Sequence, residues 1–568
     1  MTSPPPSPPD LGRPVGSLDA LLRRRAESTP ELPLYTFLSG DGREERMTLG
    51  ELSAAADAVA AGLLGQVAPG EHALLLFAPG LDYIAALFGC LRAGVVPVPT
   101  YPPLPGRSAA PTRAIAAAAD ASVALTSVDL FPLVTTAPEL AELRGRWRCV
   151  SRPGGAASLQ VETLGVSAAG AVAERPAASG ETAILQYTSG STARPRGVRL
   201  SNANLLTNLE VIRRRFGHDA DSVGVIWLPP YHDMGLIGGL LEPLYAGFPV
   251  ALMSPLDFLR RPWRWLEAIS RYRATTSGGP DFAYALAARR VPEDVRASLD
   301  LSSWRVAFSG AERVRAGTLA RFAETFADVG FDPGAFHPCY GLAEATLYCT
   351  GVQGVTVHPD VPELVSCGRV AEGHEVAVVA VDTGRRAGPD EVGEVWLRGP
   401  SVASGYHGAH GDERFAGELP GLEGRWLRTG DLGRLRDGEL YLVGRLASRL
   451  VLRGRTYQAE DVEDVAGAAD PALRSGRAVA TTRVVDDAEV LVLLHEVVDP
   501  ADVDAPALAE AIDRALGCEL GLTLETLVLL APRSVLLTSS GKVRRAATVD
   551  AWTAGDLPSL AVWPDSTL

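Results

Sequence analysis

Over roughly 350 residues, short apolar runs alternate with helical stretches, a pattern that few architectures satisfy. Ala73–Ala78, Ser122–Ser127, Val223–Pro229, Pro249–Met253 and Arg305–Ser309 have the length and apolar content of strands. Asp82–Ala93, Leu206–Phe216 and Trp263–Tyr272 carry helical spacing. So does Ser17–Glu27, with Ser17 as N-cap and Leu18, Leu21 and Leu22 on one face. Alternating β and α elements predict α/β layers with largely parallel sheets. Beyond them, Glu375–Asp382, Gly393–Arg398 and Glu439–Arg445 are closely spaced strands with glycine-rich turns, which suggests a small β subdomain. After Arg445 comes a short α+β unit: strands Arg477–Val484 and Glu489–Val498 joined at Asp486-Asp487, a helix Pro506–Leu516 and a basic end.

A chain of 568 residues is too long for one core. Three regions are expected: a proline-rich, disordered 1–16, a large domain 17–446, and a small domain 447–568. The net charge of −15 argues against broad binding to nucleic acid or to an anionic membrane. The most apolar window, Leu81–Pro99, is interrupted by Asp82 and Arg92 and reads as a buried helix and strand, not a membrane span. Six scattered cysteines without a CxxC pair predict no disulfide framework or zinc site, and a cytoplasmic setting.

Of 53 lysines and arginines, Lys542 alone is lysine. Most surface cations tolerate either residue, so a position that stays lysine among arginines suggests a need for a compact ammonium charge; chance survival is the alternative.

In Leu185–Leu205 (LQYTSGSTARPRGVRLSNANL), a strand Ala183–Tyr187 leads into Thr188, Ser189, Gly190, Ser191 and Thr192. Small residues let backbone N–H groups approach an anion and hydroxyls add donors, so a strand–loop–helix phosphate cradle is predicted. GxxxxGK[ST] is absent, and no GxSxG elbow supplies a hydrolase serine. WLPPYHDMG (Trp227–Gly235), SGAER (Ser309–Arg313), CYGLAEAT (Cys339–Thr346), WLRTGDL (Trp426–Leu432), GRLASR (Gly444–Arg449) and TSSGKVRR (Thr538–Arg545) follow in that order.

Taken together these segments resemble the adenylate-forming superfamily over roughly residues 17–552, and within it the fatty acyl-AMP ligases. VVPVPTYPP (Val95–Pro103), YHDMGL, LVSCG (Leu364–Gly368) and GPSVASGY (Gly399–Tyr406) are the closer cues. The resemblance implies that Thr188–Thr192 and Arg196 hold the ATP β- and γ-phosphates. It implies that Gly310, Ala311, Glu312, Tyr340 and Gly341 border the adenine, with the Tyr340 ring stacked on it, and that Asp431 and Arg445 meet the ribose. Glu344 is the implied Mg²⁺ ligand, in keeping with magnesium's preference for carboxylate and phosphate oxygens. His232, also implied to lie beside the reacting carboxylate, would wall an acyl pocket with Asp233, Met234, Gly235, Gly279, Pro280, Asp281 and Phe282. Lys542 is the implied catalytic cation at the α-phosphate, on a mobile small domain hinged at Ala447.

The implied reaction activates a carboxylic acid, presumed fatty, to acyl-AMP with loss of pyrophosphate. The acyl group then passes to the phosphopantetheine thiol of an acyl carrier protein. An acyl-CoA ligase and a non-catalytic nucleotide-binding homologue are the alternatives. Four departures bear on the choice. Ala193 and Arg196 stand where glycine and lysine are common, Ala447 replaces the usual acidic or lysine hinge, and Asp281 replaces an expected asparagine. The stretch Leu347–Ser366 is also short where fatty acyl-AMP ligases carry an insertion, which leaves CoA open as acceptor. Gly235, Gly238 and Gly239 either make room for a tail or allow tight packing.

Overall fold

A computed structural model describes residues 15–103, 109–143, 146–150, 181–188, 195–408, 412–452, 455–485, 488–538 and 542–564. The chain forms two compact units. Their described parts are everything up to Thr188 with Pro195–Thr429 and Gly433–Leu442, and Gly430–Leu432 with everything from Val443 onward.

The first unit is built on parallel strands. Tyr35–Leu38, Val250–Met253, Gly224–Ile226, Thr276–Gly279, Val306–Ser309 and Phe336–Gly341 lie side by side in that order, all parallel. A run of parallel strands buries both faces, and these strands are correspondingly apolar. Antiparallel pairing takes over at Tyr348–Gly351, and the β-rich region continues the same sheet through Val361–Val370 to Glu375–Val379. It also packs small cores of its own, such as Val395, Leu397, Leu427 and Leu440. A second, parallel sheet comprises Val96–Thr100, His72–Leu76, Val123–Ser127 and Trp147–Val150.

The expected elements appear with some ends trimmed and others extended. Ser17 caps helix Leu18–Ser28 by accepting from Ala20 N–H, and the helix Trp263–Tyr272 matches its predicted span. The helix expected at Leu206–Phe216 starts earlier, at Asn202. Ser201 and Asn204 form a capping box there, and Gly217 closes the helix in the left-handed region (φ 65°). Of Val223–Pro229 only Gly224–Ile226 is strand, because Pro229 and Pro230 cannot continue a central ladder and the Trp227 ring turns to stack on Phe258 at 3.9 Å. Residues 1–14 of the expected disordered tail lie outside the described residues. Val15, at its end, is fully buried and belongs to the main core.

The second unit has a four-stranded sheet ordered Leu473–Val485, Ala488–Val497, Thr526–Leu530 and Ser559–Trp563. Helices Ala459–Ala468 and Ala505–Leu520 contribute Val462, Ile512 and Leu516 to its core. The expected turn at Asp486-Asp487 lies outside the described residues. Among the described residues, no helix is long and apolar enough to cross a membrane.

Candidate active site

Ser189, Gly190, Ser191 and Thr192 lie outside the described residues, but the elements on either side correct the expected context. Strand Thr182–Thr188 does not lead directly to a helix. It pairs antiparallel with Arg196–Ser201, Thr188 opposite Arg196, before helix Asn202–Phe216 begins. Gly197 is required there, because a Cβ would lie 2.8 Å from the Tyr187 ring.

The hairpin holds a tyrosine in place. Val198 bridges to Tyr406, His407 N–H donates to the Gly197 carbonyl (2.7 Å) and Arg199 N–H to that of Gly405 (3.1 Å). So fixed, the Tyr406 ring lies 5.6 Å from the Arg196 guanidinium, and its hydroxyl donates to Glu344 Oε1 (2.6 Å). Arg414 pairs with the same carboxylate oxygen (3.2 Å) and also donates to the Arg428 and Thr429 carbonyls. Burial first, then the Glu344 charge, pushes the Tyr406 phenol well above its ordinary range, so it stays a donor. Arg196 and Glu344 thus meet through Tyr406 and Arg414. Sequence reading assigned neither of these a role: Tyr406 sat unremarked in GPSVASGY, and an arginine in a loop carries no local signal.

Two residues near this cluster have strained backbones. Ala311 (φ 67°) and Thr346 (φ 72°) occupy the left-handed region without being glycine. Thr346 is held there, fully buried, by donating to the Ser401 carbonyl (2.6 Å). Such strain persists only where the surroundings impose it, and it concentrates at functional sites. Gly341 answers to packing, since a Cβ would lie 1.6 Å from the Leu347 carbonyl oxygen.

Glu312 and Asp281 form a reciprocal staple. Glu312 Oε1 accepts from Phe282 N–H (2.7 Å), and Asp281 Oδ1 accepts from Arg315 N–H (2.9 Å) with the Arg315 guanidinium 3.7 Å from Oδ2. Burial raises the Asp281 pKa, and these donors oppose the rise. The buried Asp therefore has its partners within the fold, and the Glu312 carboxylate serves the backbone at Phe282.

Beside these segments lies an open-mouthed, mainly apolar cavity. Gly310, Ala311, Tyr340 and Gly341 line it together with Asp233, Met234 and Gly238. His232, Gly235, Gly279, Pro280, Asp281 and Phe282 are not among its described lining residues. His232 is half-buried, its ring 5.4 Å from that of Tyr231. Met234–Leu241 is a π-helix, a wide turn often found at functional sites. Within it the glycines divide. A Cβ on Gly235 would lie 2.0 Å from the Pro229 oxygen and one on Gly239 2.8 Å from Ile226, whereas at Gly238 the nearest atom is Leu347 Cδ2 at 3.4 Å. Gly235 and Gly239 serve packing, and Gly238 gives room.

In the second unit Arg445 pairs with Asp431 (3.1 Å), and its N–H donates to Gln458 Oε1 (3.2 Å). Ala447 is exposed on the one-turn helix Leu446–Ser448. Lys542 is half-buried and bonded to Thr538: Thr538 N–H donates to its carbonyl (2.7 Å), and its own N–H donates to Thr538 Oγ1 (3.0 Å). Leu537 bridges to Val543, and Arg545 binds both Glu463 oxygens (2.7 and 2.6 Å) and Glu460 (2.9 Å). The lysine backbone is thereby tied to helix Ala459–Ala468. Among the described residues no three His, Cys, Asp or Glu side chains cluster as a metal site.

Comparison with known proteins gives a consistent result. The AMP-binding enzyme family matches residues 22–407. The medium-chain-fatty-acid–acyl-carrier-protein ligase JamA of Moorena producens is 38% identical, covering 94% of this chain and 96% of the relative. A 4-hydroxyphenylalkanoate adenylyltransferase of Mycobacterium tuberculosis is 34% identical over 94% of this chain and 91% of its own length. A fatty acyl-adenylate ligase of Legionella pneumophila, solved with acyl adenylate and pyrophosphate, is 34% identical with a TM-score of 0.72, covering 98% of this chain and 99% of that one. With the family matched over most of the sequence and these relatives aligned nearly end to end, the chain belongs to the AMP-binding enzymes and is an adenylate-forming ligase that uses ATP.

Proposed function

We propose that the protein joins a medium-chain fatty acid to AMP and passes the acyl group to the phosphopantetheine thiol of an acyl carrier protein. The carrying observation is a single cavity bordered at one side by Gly310, Ala311, Tyr340 and Gly341 and elsewhere by apolar side chains such as Ile212, Phe216 and Phe248. Such a space suits a nucleotide-linked acyl chain. The similarity to an acyl-carrier-protein ligase supports the choice of acid and acceptor.

In this reading a carboxylate oxygen attacks the α-phosphorus, the bond to the bridging oxygen breaks, and pyrophosphate leaves with the electron pair. Thr188, Ser189, Gly190, Ser191, Thr192 and Arg196 hold the departing phosphates. Tyr340 and the Gly310–Ala311 backbone flank the adenine, and Asp431 and Arg445 hold the ribose. His232 lies by the carboxylate. Lys542 brings its ammonium to the α-phosphoryl oxygens, where charge builds, and one such contact is worth about 10²–10³ in rate. The small domain, 447–568, turns about Ala447 between the two half-reactions. In the second, the carrier thiolate attacks the acyl carbonyl and AMP departs.

Glu344 suits Mg²⁺ as an oxygen donor, although a lone carboxylate needs the phosphate oxygens to complete the ligand set, and Arg414 already shares it. When bound, Mg²⁺ neutralises phosphate charge. Six scattered cysteines without a CxxC pair support a cytoplasmic setting.

A panel of carboxylic acids read by acid-dependent ATP–pyrophosphate exchange tests the first step. Offering a carrier protein or CoA and identifying the thioester tests the second. No exchange with any acid refutes the reading, and a CoA thioester as sole product refutes the acceptor.

A further inference from the structure

Tyr406 stands between two groups of opposite charge that the proposed reading assigns to one triphosphate. Its hydroxyl donates to Glu344 Oε1 (2.6 Å), and the Arg196 guanidinium lies over its ring, 5.6 Å from the centre. The cation meets the π-face that attracts it, and the carboxylate meets the O–H, the donor of the side chain. The tyrosine itself is well anchored. It is buried, with the Phe415 ring edge-on at 5.1 Å, and its N–H donates to Asp412 Oδ1 (2.7 Å). On either side of it, the Gly405 carbonyl and His407 N–H bond to Arg199 and Gly197, on the strand that Arg196 begins.

Arg414 reaches the same place. Its Nη1 lies 3.2 Å from Glu344 Oε1 and 3.2 Å from the Tyr406 oxygen, while Nε and Nη2 donate to the Arg428 and Thr429 carbonyls. Both donors to Glu344 meet Oε1, and neither bond involves Oε2. Bonds to one oxygen fix the rotation of a carboxylate and so the direction in which the other oxygen points. The two donors differ in charge. A guanidinium beside the carboxylate opposes the approach of a metal cation, whereas a phenol is neutral and orients without repelling. Such outer bonds are typically worth about 10–100-fold in metal affinity or activity.

We propose that Tyr406 is a positioning residue for adenylation, its hydroxyl holding Glu344 in the orientation that receives the Mg²⁺ carried by ATP. The inference rests on the reading that Glu344 is the Mg²⁺ ligand.

The test is equilibrium binding of α,β-methylene ATP, which cannot release pyrophosphate, to the full chain by titration calorimetry, once with Mg²⁺ and once with EDTA. Tyr406→Phe keeps the ring, and with it the Arg196 contact, and removes only the hydroxyl. The ratio of the two affinities, the strengthening that Mg²⁺ brings, should fall about tenfold in this variant. Affinity in EDTA should stay at the wild-type value, because general damage to the fold would weaken both arms. Arg414→Met leaves the phenol in place and should keep the strengthening or increase it. An unchanged ratio in Tyr406→Phe, equal weakening of both arms there, or loss of the strengthening in Arg414→Met overturns the proposal. Glu344→Gln isolates the premise: no strengthening in wild type, or one that Glu344→Gln leaves intact, refutes Glu344 as the metal ligand and the proposal with it.

Discussion

Glu242 offers a perturbation whose size follows from its surroundings. The carboxyl is fully buried against His218, and burial raises its pKa well above the 4.5 of the unfolded chain. The folded protein then keeps a proton that the unfolded chain releases. That stabilisation is complete below pH 4.5 and is lost as pH rises, by about 1.4 kcal/mol per unit, until the folded-state pKa is reached. Glu242→Gln removes the titration yet keeps the hydrogen bond, since an amide N–H donates to Nδ1 as the acid does. His218 titrates alike in both proteins, so it cancels in their difference. Between pH 5.5 and 7.5 the stability of the glutamine variant relative to wild type should rise, by about 1.4 kcal/mol for each unit over which the folded carboxyl keeps its proton. Urea unfolding followed by tryptophan emission reads this out, because Trp265 and Trp304 are buried in the same unit. A difference that stays flat across the range would mean that Glu242 is ionised in the fold.

Three other outcomes are expected. Gly235→Ala, with its Cβ 2.0 Å from a backbone oxygen, should cost at least about 1–3 kcal/mol in thermal unfolding, whereas Gly238→Ala should leave stability unchanged or slightly higher; equal losses would contradict the packing described. Lys542→Ala should cut acid-dependent pyrophosphate exchange by about 10²–10³ while sparing transfer from preformed acyl-adenylate, and equal loss of both steps would refute the division of labour. Arg545→Met strips Glu463 of its bidentate partner, at a cost of about 3 kcal/mol, and limited proteolysis should then open the region after Val443 first; an unchanged digest would show the pair to be dispensable.

Where local chemistry fixes an element, the sequence was sufficient. Ser17 caps its helix, Gly393–Arg398 and Glu439–Arg445 are strands over their predicted spans, and the apolar spacing of Trp263–Tyr272 is repeated in the buried faces of Trp265, Leu266 and Ile269. Arg196–Ser201 was passed over although it alternates, Val198 and Leu200 inward and Arg199 outward, because six residues are too few to stand out before the stronger helix signal of NANLLTNL. The π-helix Met234–Leu241 was unreadable for another reason: MGLIGGLL is apolar throughout, and a segment with no polar face has no period to detect. His218 and Glu242, 24 positions apart, meet only through tertiary packing. The reciprocal bonds between Asp281 and Glu312 were hidden in the same way.

These contrasts suggest why one framework can serve different acids. The end of the cavity near Gly310, Ala311 and Gly341 is set by backbone constraints: a glycine with no room for Cβ, two strained residues nearby, and carboxylates committed to main-chain N–H groups. A substitution there disturbs several segments at once. The opposite end is lined by side chains such as Phe216, Phe248 and Thr276, which can change without moving a strand. In the proposed reading the nucleotide occupies the rigid end and the acid's tail the adaptable one. Selectivity can then drift by single replacements while the chemistry at the α-phosphate is left intact.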